Sequence, residues 1–260
     1  MAVASARQSD RAWASFLTMK IDAVLFDLDD TLLGNNMERF LPSYFSLLSE
    51  YARPLFADKK QFVRELLYGT RAMIGDTDIS LTNREVFWRA FAERTGLDEV
   101  EAEPFFNRFY DEQFGQLKAV TERRPAAPEA IRLCFEVGAP VAIATNPLFP
   151  LAAIEQRLAW AGIPVSEFAF SLVTSYENMH ATKPHKAYYC EILEHLEAEP
   201  ERSIMIGDSW QNDIAPAVSL GMHTFWIAPE SAEPPAAQSA SAQGTLDDCL
   251  HWLQTLLEDM

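Results

Sequence analysis

The chain has 260 residues, 48 % apolar and 12 % aromatic, enough for one large domain or a medium one joined to a smaller one. Its formal net charge of −17, with no Lys/Arg-rich run, argues against nucleic-acid binding and against attachment to anionic membranes. The same field repels anionic small molecules, so a substrate of that kind needs a cation at its site.

In chain order, residues 1–18 are weakly basic and rich in Ser and Ala but hold no apolar h-region, so they are expected to be a tail and not a secretory signal. Ile21 to Phe26 is a short apolar run that stops at Asp27; Val141 to Ala144 stops at Thr145, and Ser203 to Ile206 stops at Gly207-Asp208. Runs of this kind suit strands buried on both faces of a parallel sheet. Helical spacing is expected over 128–137, 151–161, 186–196 and 213–220, and this alternation predicts an α/β sheet with right-handed crossovers. Residues 34–124 interrupt it. Helices are expected there over 37–51, 59–68, 84–94 and 105–120, with Thr82 to Glu85 as a capping box for the third. The aromatic residues of this block follow helical spacing and are expected to form its core. Residues 229–244 have loop or linker composition, and 246–257 reads as a last helix packed on the core through Leu250, Trp252, Leu253 and Leu256. The resulting division is a tail (1–18), an α/β core (19–33 and 125–230), an inserted helical unit (34–124), and a linker with a terminal helix (231–260). Cys134, Cys190 and Cys249 have no metal-ligand or disulfide spacing and are expected to be reduced packing residues of a cytoplasmic protein. No apolar stretch is long enough to span a bilayer.

Ligands of open α/β sheets bind beyond the C-terminal ends of the strands. Asp27-Leu28-Asp29 places two carboxylates there. Asp27 suits a nucleophile towards phosphorus, and Asp29 suits a group that protonates the leaving oxygen and then takes a proton from water. Asp208 and Asp213 add hard oxygen ligands which, near Asp27, would form a Mg²⁺ site. Asp213 taken alone would equally serve as a helix cap. Thr145 and Asn146 offer a hydroxyl and a main-chain N–H to phosphoryl oxygens, and Lys183 offers charge for the transition state.

The ordered set Asp27-x-Asp29-x-Thr31, Thr145, Lys183-Pro184 and Gly207-Asp208-x4-Asp213 resembles the haloacid dehalogenase superfamily of phosphatases, over roughly residues 21–228. The resemblance implies a Rossmannoid core and a C1-type helical cap. It also implies Mg²⁺ held by the Asp27 carboxylate, the Asp29 carbonyl and Asp208, with Asp213 on the metal or its waters. The substrate class implied is a small phosphorylated metabolite. The second carboxylate, Asp29, argues against the halide-removing branch. Lys59, Lys60 and Lys118 have no context suited to a phosphonate-cleaving Schiff base. A phosphomutase or other phosphoryl transferase stays open, as does a phosphate-binding regulatory protein. One departure falls before Lys183: where the family often has Glu-x-Gly-x-x-Lys-Pro, this chain has Glu177 to Lys183 with one residue more and no glycine. His180 lies in that altered loop. Residues Tyr68 to Asp76 are expected to be a cap loop bent at its glycines, with Arg71 available to a second anionic group of the substrate.

Overall fold

The computed structural model describes residues 21–229, 231–235 and 239–258, so the expected tail, residues 1–18, lies outside it. Strand β1 (Ala23–Phe26) is followed by a short β2 (Leu33–Gly34). Four helices come next: α1 (Met37–Tyr51), α2 (Lys59–Gly75), α3 (Asn83–Thr95) and α4 (Glu99–Glu112). A 3₁₀ segment (Phe114–Val120) leads into β3 (Glu122–Arg123), which pairs antiparallel with β2 and closes the insertion at its root. The remainder runs α5 (Ala126–Glu136), β4 (Val141–Ile143), α6 (Leu151–Ala161), β5 (Leu172–Val173), α7 (Lys186–His195) and β6 (Ser203–Gly207). After a wide π-type turn (Trp210–Ile214) come α8 (Ala215–Leu220), β7 (His223–Ile227), β8 (Ala242–Gly244) and α9 (Leu246–Glu258).

Six strands form one parallel sheet in the order β5-β4-β1-β6-β7-β8, with helices on both faces and a helical cap inserted after the first strand. Every residue of β1, β4 and β6 is buried, which is why these strands read as unbroken apolar runs. Successive side chains take opposite faces. Val24, Phe26, Ile143 and Ile206 join a core that continues into the cap, whereas Ala23, Leu25, Ala142 and Met205 face Tyr188, Tyr189 and Ile192 of α7. Helix α9 closes the first face through Leu246, Cys249, Leu250, Leu253 and Leu256, with the Trp252 ring 5.3 Å from Phe225. No helix among the described residues is long and apolar enough to cross a membrane. Cys134 and Cys249 are buried as expected of packing residues, but Cys190 is exposed.

Three expectations are corrected. The stretch 229–244 is not all linker, because Ala242–Gly244 pairs with β7 as a sixth strand; three residues at a sheet edge leave little side-chain signature. The helix expected over 105–120 is two elements. Helix α4 begins at Glu99, capped by Asp98, and carries Pro104 near its start, and the 3₁₀ segment follows it. Most relevant to function, Tyr68 to Gly75 is not a loop. Helix α2 runs through Gly69, where a Cβ would sit 2.7 Å from the Phe87 ring of α3, so the glycine permits close helix packing and makes no bend. Arg71 is exposed on that continuous helix.

Candidate active site

Hydrogen bonds prolong the ladder past β1, from Asp27 N–H to the Ile206 carbonyl (2.9 Å) and from Ala144 N–H to the Phe26 carbonyl (2.7 Å). They bring Asp27, Thr145 and Asp208 to one edge of the sheet. Asp27, Asp208 and Asp213 each turn a carboxylate oxygen inward, and these atoms lie within 4.8 Å of one another. Lys183 Nζ, 3 % exposed as a residue, bridges two of them, donating to Asp27 Oδ1 (2.7 Å) and Asp213 Oδ1 (2.6 Å). Gly207 makes this approach possible. A Cβ there would meet the Asp213 carboxyl carbon at 2.5 Å, so the residue is needed for clearance as well as for the turn. Asp213 is no simple helix cap, because its other oxygen accepts from Ser209 N–H (2.9 Å). The Asp208 carbonyl accepts from Trp226 Nε1 (2.8 Å), which fixes the turn from outside.

Burial dominates the electrostatics. It raises the Asp27 carboxyl well above its usual range, opposed by Lys183 and reinforced by Asp213 and Asp208. Asp208 is pushed up to about 7, by burial first and then by Asp213 and Asp30. Burial works against the Lys183 ammonium, but Asp213 and Asp27 prevail and hold it well above the ordinary lysine value. Three crowded carboxylates sharing one ammonium favour a further cation, and their hard oxygens suit Mg²⁺.

Thr145 is buried at the end of β4, and its carbonyl accepts from Thr174 Oγ1 (2.7 Å) and Tyr188 OH (2.8 Å). Asn146 Oδ1 accepts from Lys183 N–H (3.3 Å), joining the second and third motifs. Asp29 stands apart from the carboxylate cluster. Its oxygens accept from Asn35 Nδ2 (2.7 Å) and Arg157 Nη1 (2.5 Å). Arg157, on α6, is fully buried; its guanidinium lies 4.7 Å from the Phe149 ring centroid, and Nη2 has no partner. Sequence reasoning missed this residue. The available signal was a cation four residues after Ala153 and three after Ile154, on the buried stripe of α6. Neither Arg71 nor His180 joins the cluster. His180 pairs with Glu191 of α7 (Nδ1 to Oε1, 2.6 Å), which explains it as an ordinary loop residue.

The loop before Lys183 also holds the cap. The first amides of α3 donate to it, Arg84 N–H to the Tyr176 carbonyl (2.7 Å) and Asn83 N–H to the Met179 carbonyl (2.8 Å), while Asn83 Nδ2 reaches the Ala181 carbonyl (3.1 Å). Tyr176 OH donates to Glu103 of α4 (2.9 Å), which also takes a forked contact from Arg84. These bonds satisfy donors that a helix start leaves unpaired.

A parallel sheet that gathers carboxylates and a lysine at its C-terminal edge, beneath a cap inserted after the first strand, defines a capped Rossmannoid hydrolase. The chain belongs to the haloacid dehalogenase-like hydrolases, whose family model matches residues 21–221, and it is an enzyme of phosphatase type. Among its curated relatives, the pyrophosphatase PpaX of Bacillus cereus is 24 % identical over 212 residues, covering 81 % of this chain and 84 % of that protein. The ribulose-1,5-bisphosphate 5-phosphatase of Halopiger xanaduensis is 26 % identical over 240 residues, covering 91 % and 96 %. Among solved structures, the fold resembles a HAD phosphatase from Thermococcus onnurineus (TM-score 0.55, 21 % identity, 90 % and 98 % covered). It also resembles a 2-haloacid dehalogenase from Pseudomonas syringae (TM-score 0.60, 20 % identity, 90 % and 98 % covered).

Proposed function

We propose that the chain is a Mg²⁺-dependent phosphomonoester hydrolase working through an aspartyl phosphate on Asp27. The observation that carries this is the convergence of Asp27, Asp208 and Asp213 on the Lys183 ammonium at the end of the sheet. A carboxylate oxygen of Asp27 attacks phosphorus, and the bond to the ester oxygen breaks as Asp29 gives that oxygen a proton. A water then attacks the acyl phosphate while Asp29 takes its proton, releasing phosphate and restoring both carboxyls. Thr145 and Asn146 orient the phosphoryl oxygens, and Lys183 balances the charge that grows on them. The Asp27 carboxylate, the Asp29 carbonyl, Asp208 and Asp213 would hold Mg²⁺, whose charge lets a carboxylate approach a phosphoryl anion. Arg71, exposed on a helix, has no part in this scheme. The three free cysteines suit a reducing compartment, which supports a cytoplasmic setting.

The test is hydrolysis of an aryl phosphate titrated with Mg²⁺ at several pH values, with chelator as control. Asp208, raised to about 7, binds a proton in competition with metal. The Mg²⁺ concentration for half-maximal rate is therefore expected to rise by up to about tenfold between pH 7 and pH 6, and to flatten above pH 8. Rates indifferent to both metal and chelator would end the metal assignment.

Arg157 is a positioning residue in this reading, setting the Asp29 carboxylate from behind. Arg157→Met should lower kcat by roughly 10- to 100-fold with KM within about threefold, and Arg157→Lys should recover part of the loss. Equal damage by both variants, tracking a fall in melting temperature, would reduce Arg157 to a packing role.

A further inference from the structure

Beyond its last laddered residue, β4 keeps the alternation of its backbone groups. Ala144 N–H faces β1, where it donates to the Phe26 carbonyl (2.7 Å). The Ile143 carbonyl faces the other way and accepts from Thr174 N–H, just past the end of β5 (3.0 Å). In extended backbone, like groups two residues apart share a side. The Thr145 carbonyl accordingly falls on the β5 side, and the Asn146 N–H on the β1 side, where Asp27 follows Phe26. Among the described residues no backbone amide donates to the Thr145 carbonyl. Two hydroxyls do so instead.

Thr174 Oγ1 lies 2.7 Å from that carbonyl and Tyr188 OH 2.8 Å, and both residues are fully buried. Each hydroxyl has one proton to give, and a carbonyl oxygen has two lone pairs to take both. The alternatives are longer: Thr174 Oγ1 is 3.1 Å from the Ile143 carbonyl and 3.2 Å from Tyr188 OH. Burial raises the pKa of Tyr188, so the phenol keeps its proton. The consequence lies at the other end of the same peptide. Thr145–Asn146 is a trans bond, and a planar trans peptide points its C=O and N–H in opposite directions. A carbonyl clamped from behind therefore commits the Asn146 N–H to the carboxylate side. Among the described residues this N–H donates to no other group. A carbonyl that accepts twice also polarises its own amide and makes it a stronger donor. The reversed peptide would turn a carbonyl oxygen, and its repulsion, on a phosphoryl anion.

We propose that Tyr188 and Thr174 are positioning residues whose hydroxyls clamp the Thr145 carbonyl and so aim the Asn146 N–H at a phosphoryl oxygen on Asp27. The inference rests on the phosphatase reading, and two readouts let them fail separately. With an aryl phosphate, Tyr188→Phe or Thr174→Val alone leaves one hydroxyl in place and should lower kcat/KM by no more than about fivefold. The two together should lower it by at least about a hundredfold, more than the product of the single losses. Thr174→Ser, which keeps its hydroxyl, should stay within about twofold of wild type. In NMR, the Asn146 amide proton should move downfield when inorganic phosphate and Mg²⁺ are added to wild type, and stay put in the double variant. Should the double variant not fold, that shift in each single variant decides, with at least about half of it expected to be lost. Single losses that merely multiply, together with an amide shift that persists, would reduce both hydroxyls to a structural role and leave the phosphatase reading intact. If wild type hydrolyses no ester, the phosphatase reading fails. An amide shift lost with the hydroxyls then still supports the clamp, and no shift in wild type overturns it.

Discussion

Asp27→Asn is expected to lower kcat for an aryl phosphate by at least about a thousandfold, or some 4 kcal/mol of barrier. An amide oxygen is a poor nucleophile towards phosphorus and gives no stable acyl phosphate, and no other carboxylate replaces it in line. Asp29 is held by Asn35 and Arg157, and Asp213 is fixed by Lys183 and the Ser209 amide. The change is nearly isosteric and removes one buried charge from a crowded group whose largest electrostatic cost is desolvation. Melting temperature should therefore stay the same or rise slightly, which separates loss of chemistry from loss of fold. A variant retaining a tenth of wild-type activity would show that the nucleophile lies elsewhere.

Lys183→Met has the second large effect, on stability and catalysis together. The ammonium lies 2.7 Å from Asp27 and 2.6 Å from Asp213, and all three groups are shielded from water. Removing it leaves two buried carboxylates without their shared counter-charge, which typically costs about 3–5 kcal/mol. For a chain of this size that is a fall in melting temperature on the order of 10 °C. The sign of its pH dependence follows from the pair. Asp27 already has a raised pKa, and losing Lys183 removes the main influence that lowers it. Folding of the variant should then be relieved as acid protonates Asp27, so its deficit is largest at alkaline pH and shrinks towards pH 5. Added Mg²⁺ should restore part of the stability at neutral pH by supplying the missing charge. Activity at saturating Mg²⁺ should remain down by about 10²- to 10³-fold, because a group that stabilises transition-state charge is lost. Thermal unfolding with and without metal, at pH 5 and pH 8, checks both halves. A variant as stable as wild type at pH 8 without metal would contradict the bridging role.

What was legible in the chain was what local pattern encodes. Ile21 to Phe26, Val141 to Ala144 and Ser203 to Ile206 are apolar on both faces because both faces are covered, and the groups closing them mark the sheet edge. Asp27, Thr145 and Asp208 follow those runs directly, whereas Lys183 and Asp213 close none of them and stand out only within the ordered motif set that resembles the family's. Contacts that join distant segments were not legible. Arg157 meets Asp29 across 128 positions, and nothing local to either residue announces the other. Gly69 reads as a break because glycine has low helix propensity, yet the reason for it is the Phe87 ring from another helix. Nothing in the helical spacing over 186–196 marks Tyr188, although its hydroxyl serves the Thr145 carbonyl. Of the cap aromatics expected to form its core, Phe40, Tyr44, Trp88, Phe109 and Tyr110 are buried, while Phe45, Phe87, Phe105 and Phe106 keep partial exposure.

The loop from Tyr176 to Lys183 departs from the family's usual spacing by one residue and lacks the glycine. That same stretch turns the carbonyls of Tyr176, Met179 and Ala181 towards the first turn of α3, and the last of these lies two residues before the lysine. The cap is thus moored to the strand of backbone that aims the ammonium. A swing of the cap must either break those three bonds or drag the loop with it. Cap angle and lysine reach are in effect one mechanical coordinate, so a shut cap and an armed site arrive together.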